Sequence, residues 1–196
     1  MPGKKKSETG IIITEEYIRR LNPDTWVAFT DGSSKNPGPS GSGVVLMIPP
    51  TETYLERMNH FVTKGDDALG DPELGEWKFI SRGIGNGTNN IAELKGIEFA
   101  MIEIMQHPRF EKECEYVCIL SDSKYALGVI FQGWTATKNT GLVSQIRDTA
   151  AKLKSAVYSL QYQYIEAHSK HCGNEMADRL AKEGAKESAK FKASCK

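Results

Sequence analysis

The feature that most restricts the fold of this 196-residue chain is a change of apolar period near residue 90. Before it, apolar residues come in short dense runs, TWVAFTDG, GVVLMI and WKFISRGIG, separated by turn chemistry such as SKNPGPSGSG. Such runs read as strands bounded by breakers. After it, Ile91, Leu94, Ile97, Ala100, Met101 and Ile104 recur on one helical face, which His107-Pro108 brings to an end. EYVCILSD restores a strand, KYALGVIFQ reads as a short helix, and GLVSQIRDTAAKLKSA reads as a longer amphipathic one. LQYQYIEAH is a fifth strand, and a last helix from Asn174 turns Met176, Ala177, Leu180 and Ala181 inward. Strands joined by turns imply antiparallel neighbours, and strands separated by helices imply parallel ones. The expectation is an α/β fold with a five-stranded mixed sheet, three antiparallel strands then two parallel, flanked by helices.

Domain limits follow from the same pass. Residues 1–24 form a basic tail and a short helix, TEEYIRRL, capped by Thr14 and stopped by Asn22-Pro23. Residues 25–188 are one domain, within which residues 49–75 are a Pro-bearing, acidic insertion, and residues 189–196 are a basic tail. At 39% hydrophobic and 26% charged residues, the composition excludes disordered and membrane classes. No apolar run approaches the roughly 18 residues of a membrane span. The run from Ile11 to Ile13 is too short for a signal-peptide core, so the chain is expected to be intracellular, cytoplasmic or nuclear, and monomeric. Cys114, Cys118, Cys172 and Cys195 show no C-x-x-C spacing, which points to reduced thiols. Net charge is +0, so bulk charge selects no polyanionic partner, and the lysine-rich ends read as solvated.

The densest cluster of chemistry-bearing residues is EAHSKHCGNEMAD, residues 166–178. His168, His171 and Cys172 stand at near-ligand spacing for zinc, but a structural zinc site wants a fourth ligand. Four acids elsewhere point to a harder ion. Asp31 ends the first strand inside an apolar run, Glu93 sits in the first turn of the first long helix, Asp122 ends the fourth strand, and Asp178 lies among the inward residues of the last helix. Ends of central strands and starts of covering helices are where open sheets assemble sites. Each acid alone has an ordinary use in a turn, a helix terminus or solvent. Four on one sheet edge would repel one another unless cations neutralised them, and carboxylate oxygens suit magnesium or manganese. Two such ions can activate a water and stabilise a leaving oxygen in phosphodiester cleavage.

The motifs FTDGSSKNPGPSGSG, TNNIAELKGI, ILSDSKYALGVI and EAHSKHCGNEMADRLA, in that order, resemble type 1 ribonuclease H from about Trp26 to Glu187. The resemblance implies a ribonuclease H-like fold. It also implies an endonuclease that cuts the RNA strand of RNA–DNA hybrids with two magnesium or manganese ions, leaving 5′-phosphate and 3′-hydroxyl ends. Carried over by position, Asp31, Glu93, Asp122 and Asp178 are the metal-binding carboxylates, and His168 is the histidine that assists proton transfer or product departure. Asn36, Gly38, Asn89, Asn90 and Lys124 stand where the family reads the RNA minor groove, the face whose 2′-hydroxyls mark RNA. Thr88 and Asn139 match a pocket for a DNA phosphate, and Trp134 a contact to a DNA sugar.

The chain departs from the family pattern in four places. Lys124 replaces a common glutamine, and Asn86 falls near where some relatives use arginine. Between Phe131 and Asn139 there is one lysine, where some members carry a basic helix and loop. Residues 49–75 have no counterpart in the minimal domain. Weak, salt-sensitive hybrid binding is the expectation. GIGNGTNN, residues 83–90, lacks the full G-x-G-x-x-G of a dinucleotide loop, and the Asn86-Gly87-Thr88 sequon reads as chance in an intracellular chain. His107 reads as an ordinary helix-end residue, and His171 with Cys172 as surface.

Overall fold

The computed structural model describes residues 17, 18, 20–50, 75–167 and 171–194. The elements are β1 (Thr25–Ser34), β2 (Gly38–Ile48), β3 (Glu76–Gly87), α1 (Asn89–Met105), α2 (Phe110–Glu113), β4 (Tyr116–Ser121), α3 (Lys124–Phe131), α4 (Thr140–Ala156), β5 (Ser159–Tyr164) and α5 (Cys172–Ser194). The five strands form one sheet in the order β3-β2-β1-β4-β5. β1–β2 and β2–β3 are antiparallel, while β1–β4 and β4–β5 are parallel. The mixed sheet expected from the element order is therefore observed. β1 is central and buried on both faces, which explains the unbroken apolar run WVAF.

Each face of the sheet carries its own core. On one side Trp26, Ala28, Leu46, Leu94, Ile97 and Ile119 pack with α1, α3 and α4. On the other, Val27, Phe29, Val45, Leu120, Ala177 and Leu180 pack beneath α5, joined by Ile18 and Leu21. α5 lies close on β2 because Gly43 has no side chain: a Cβ there would overlap the Ala177 carbonyl oxygen. Thr88 caps α1 by accepting from the Ile91 amide, and Ser123 caps α3 by accepting from Ala126. Glu98, almost fully buried on α1, accepts from Lys95 at 2.7 Å and from Gln145 of α4 at 2.6 Å, which ties the two helices together.

Several expectations shift. α5 starts at Cys172 rather than Asn174, and it stays helical to Ser194 through the stretch read as a solvated lysine-rich end. α2 is a one-turn helix too short to show a period. Half of the expected helix TEEYIRRL lies outside the described residues, and residues 51–74 and Cys195 lie wholly outside them. The insertion's two roots are described: Ile48 pairs with Glu76 across β2–β3. From the α1–α2 connection, Arg109 donates to the Pro49 carbonyl at 2.8 Å, and the His107 ring bonds Glu76 at 3.0 Å. His107 is thus buried and bonded rather than an ordinary helix end. Cys114, Cys118 and Cys172 are buried, and none of the three is in a disulfide. Among the described residues no helix is long and apolar enough to cross a membrane.

Candidate metal and nucleic-acid site

Parallel pairing of β1 with β4 sets Thr30 opposite Ser121, so the residues that follow them, Asp31 and Asp122, stand side by side. Glu93 reaches the same point from α1. It does so because Gly32 lets the helix touch the strand: a Cβ on Gly32 would overlap the Glu93 amide nitrogen. Ser42 reinforces this seam by donating to the Ala92 carbonyl at 2.7 Å. With α1 beginning at Asn89, Glu93 falls in its second turn, not its first. The helix dipole therefore does little for Glu93, whose position is set by contact with β1.

Ligand oxygens of Asp31, Glu93 and Asp122 all lie within 4.8 Å of one another. Asp31 and Glu93 are buried, and Asp122 is half-buried. Burial, then the neighbouring charge of Asp122, pushes the Asp31 carboxyl up to about 7, against one amide bond from Gly32 at 2.6 Å. Burial and the charges of Asp31 and Asp122 push Glu93 well above the usual carboxylate range. Among the described residues Glu93 Oε2 is buried with no hydrogen-bond partner, a costly state for a carboxylate oxygen. An oxygen-only, mutually repelling, partly orphaned donor set fits a hard divalent cation.

Asp178 joins this cluster electrostatically but less tightly. It contributes to the upward push on Asp31, yet its own Oδ2 accepts from Lys182 at 2.5 Å, one helical turn on. The i,i+4 spacing of Asp178 and Lys182 was the sequence signal for that partner. His168 lies outside the described residues. His171 and Cys172, expected at the surface, are 3% and 5% exposed. The His171 ring stacks on Phe29 with centroids 4.9 Å apart, and burial lowers its pKa to about 4. The early start of α5 carries both residues under the sheet.

The remaining candidates lie on several elements. Asn36 occupies the exposed β1–β2 turn with φ 40, and Gly38 pairs with Gly87, the residue before Thr88. Ser34 donates to the Gly87 carbonyl at 2.9 Å, so this turn and the exposed Asn89 and Asn90 at the start of α1 are neighbours. Lys124 is exposed at the start of α3, its ammonium 4.6 Å from the Tyr164 ring centre, a partner that sequence reading missed. Trp134 is 49% exposed, with its ring laid over Gly128. Arg147 fixes the Trp134 backbone by donating to its carbonyl at 2.8 Å. Asn139 precedes α4 with φ 55, on a different helix from the one Thr88 caps.

The family model described as RNase H matches residues 23–186. A ribonuclease H of Actinobacillus succinogenes is 31% identical over 80% of this chain and 87% of its own length. A ribonuclease HI of Pasteurella multocida is 31% identical over 80% of the chain and 87% of its own length. Among solved structures, RNase H1 from the halophilic archaeon Halobacterium salinarum superposes with a TM-score of 0.58 at 21% identity, over 83% of this chain and 98% of that one. LC11-RNase H1, solved in complex with an RNA/DNA hybrid, gives 0.58 at 21% identity, over 84% and 99%. These structural likenesses concern the fold.

Proposed function

The chain belongs to the ribonuclease H family, and from that premise we propose that it hydrolyses the RNA strand of RNA–DNA hybrids, leaving 5′-phosphate and 3′-hydroxyl ends. The observation that carries the reading is the convergence of Asp31, Glu93 and Asp122 within 4.8 Å at one end of the two central strands β1 and β4. Pure binding of nucleic acid would gain nothing from clustered negative charge facing phosphates. In this reading Asp31, Glu93, Asp122 and Asp178 hold two divalent ions, magnesium or manganese. When bound, such ions supply Lewis-acid stabilisation and an activated water.

The protein's own residues account for the rest. Burial keeps Asp31 and Glu93 dry, which strengthens their hold on a cation. Lys182 neutralises Asp178 and fixes its carboxylate. His168, between β5 and α5, is assigned proton transfer or product departure, for which a neutral imidazole is suited. Asn36, Gly38, Asn89, Asn90 and Lys124 are assigned the RNA minor groove, and Thr88, Asn139 and Trp134 the DNA strand. The test is a labelled RNA–DNA hybrid, single-stranded RNA and duplex DNA, each incubated with magnesium or with EDTA. Metal-dependent cleavage confined to the RNA strand of the hybrid is expected, and its absence would sink the reading. Asp31→Asn or Asp122→Asn that cleaved like the unsubstituted protein would refute the site assignment alone.

A further inference from the structure

A chain of net charge +0 that acts on a polyanion must concentrate positive charge somewhere. Among the described residues, the stretch from Phe131 to Asn139 offers only Lys138. Between the β1–β2 turn and α5 lies a groove of about 290 Å³, bounded by Ser33, Ser34 and Lys35 on one side and Lys182, Ala185 and Lys186 on the other. Lys182 and Lys186 are four residues apart, about 6 Å along the helix and on one face. Glu183 and Glu187 stand one residue further on each time, rotated away by about 100°.

Lys35 and Lys186 are exposed, and among the described residues neither is ion-paired. Lys182 is committed to Asp178, so it joins the groove to the carboxylate cluster. Besides the two serines, the groove is lined by Pro39, alanines and lysines, whose methyls and stems suit the apolar edge of a sugar between two ammonium groups. One wall is the turn that carries Asn36 and Gly38, and the other is the helix that carries Asp178. The groove therefore lies between an element assigned to the metal ions and an element assigned to the RNA strand.

We propose that the groove seats a backbone phosphate of the cleaved strand beside the scissile one, with Lys35 and Lys186 supplying its counter-charges. The assignment rests on the reading that the chain acts on RNA–DNA hybrids. Its test is hybrid binding by fluorescence anisotropy with magnesium, in an Asp122→Asn background, at salt concentrations from roughly 50 to 200 mM. Each lost phosphate contact lowers the slope of log K against log salt by about 0.9. Lys35→Gln combined with Lys186→Gln removes that one contact and should therefore flatten the slope by about 1, and weaken binding roughly tenfold at the lowest salt. Lys152→Gln, at an exposed position on α4, should leave both unchanged. Magnesium affinity, measured by calorimetry without nucleic acid, should be the same in the double variant.

An unaltered slope in the double variant, with hybrid cleavage by the unsubstituted protein intact, overturns the groove assignment alone. A lysine control that flattens the slope as much also overturns it, because the effect would then be one of net charge. Failure of the unsubstituted protein to bind or cleave hybrid would sink the underlying reading, and the groove with it.

Discussion

Asp31→Asn should make the metal-free protein more stable at pH 8 while abolishing cleavage. In the folded chain the Asp31 carboxyl is raised from 3.8 to about 7, chiefly by burial and then by Asp122. A carboxylate raised on folding binds protons more tightly in the native state. Its penalty is therefore absent below pH 3.8, grows between 3.8 and 7, and is complete above 7. About three pKa units at roughly 1.4 kcal/mol each give a ceiling of about 4 kcal/mol. Asparagine keeps an oxygen that can accept the 2.6 Å bond from Gly32, so the charge is what the substitution removes. For a chain of this size, the ceiling corresponds to a rise in Tm of roughly 8–16 °C, with about half of that expected because Glu93 and Asp122 still repel. The assay is thermal unfolding of both proteins in EDTA, in steps from pH 4 to pH 8. The difference should vanish near pH 4 and grow to its full size by pH 8. Adding magnesium should reverse the order, since ligation stabilises the protein that holds the ion more tightly. Equal or lower stability of the Asp31→Asn variant at pH 8 in EDTA would refute the argument that the cluster stores repulsion.

Other substitutions probe the frame around the site. His171, lowered from 6.5 to about 4 by burial against Phe29, makes the fold lose stability as pH falls from 6.5 through 4. His171→Leu should remove up to about 3 kcal/mol of that acid-side loss in urea melts at pH 7 and pH 4.5, and an unchanged slope would contradict it. Gly43→Ala should cost about 3 kcal/mol, because its methyl would strike the Ala177 carbonyl, and it should weaken metal affinity by shifting Asp178. A variant of native stability would show that α5 has room to move. Glu98→Ala should cost about 2 kcal/mol by stranding Gln145 on α4, read as a lower urea midpoint with an unchanged m-value.

The fold was legible because its constraints are local. Unbroken apolar runs mark β1 and β4 as central, and the 3.6-residue period of Ile91 to Ile104 marks α1. Once strand order is known, adjacent parallel strands bring Asp31 and Asp122 together without further information. The seating of Glu93 was not legible in the same way, because it depends on the closeness of Gly32 to α1. The surface reading of His171 and Cys172 failed for a related reason. Polarity suggested a loop, whereas burial was decided by where α5 begins and by the space that Gly173 leaves above Phe29. The Asp178–Lys182 pair was visible in the sequence as an i,i+4 spacing, but the lysine was read as part of a solvated end. The groove with Lys35 could not be read at all, since it needs two segments far apart in sequence.

The Ile48–Glu76 rung, with Arg109 on Pro49 and His107 on Glu76, also has a use for engineering. Both stumps of the intervening chain are fixed to the same helix connection, and the β2–β3 register closes above them. Chain of almost any length can be spliced between them, because lengthening a closed loop twofold costs only about 0.6 kcal/mol. That junction is the natural port for a fluorescent reporter, an affinity handle or a second enzyme, carried at the opposite end of the sheet from Asp31.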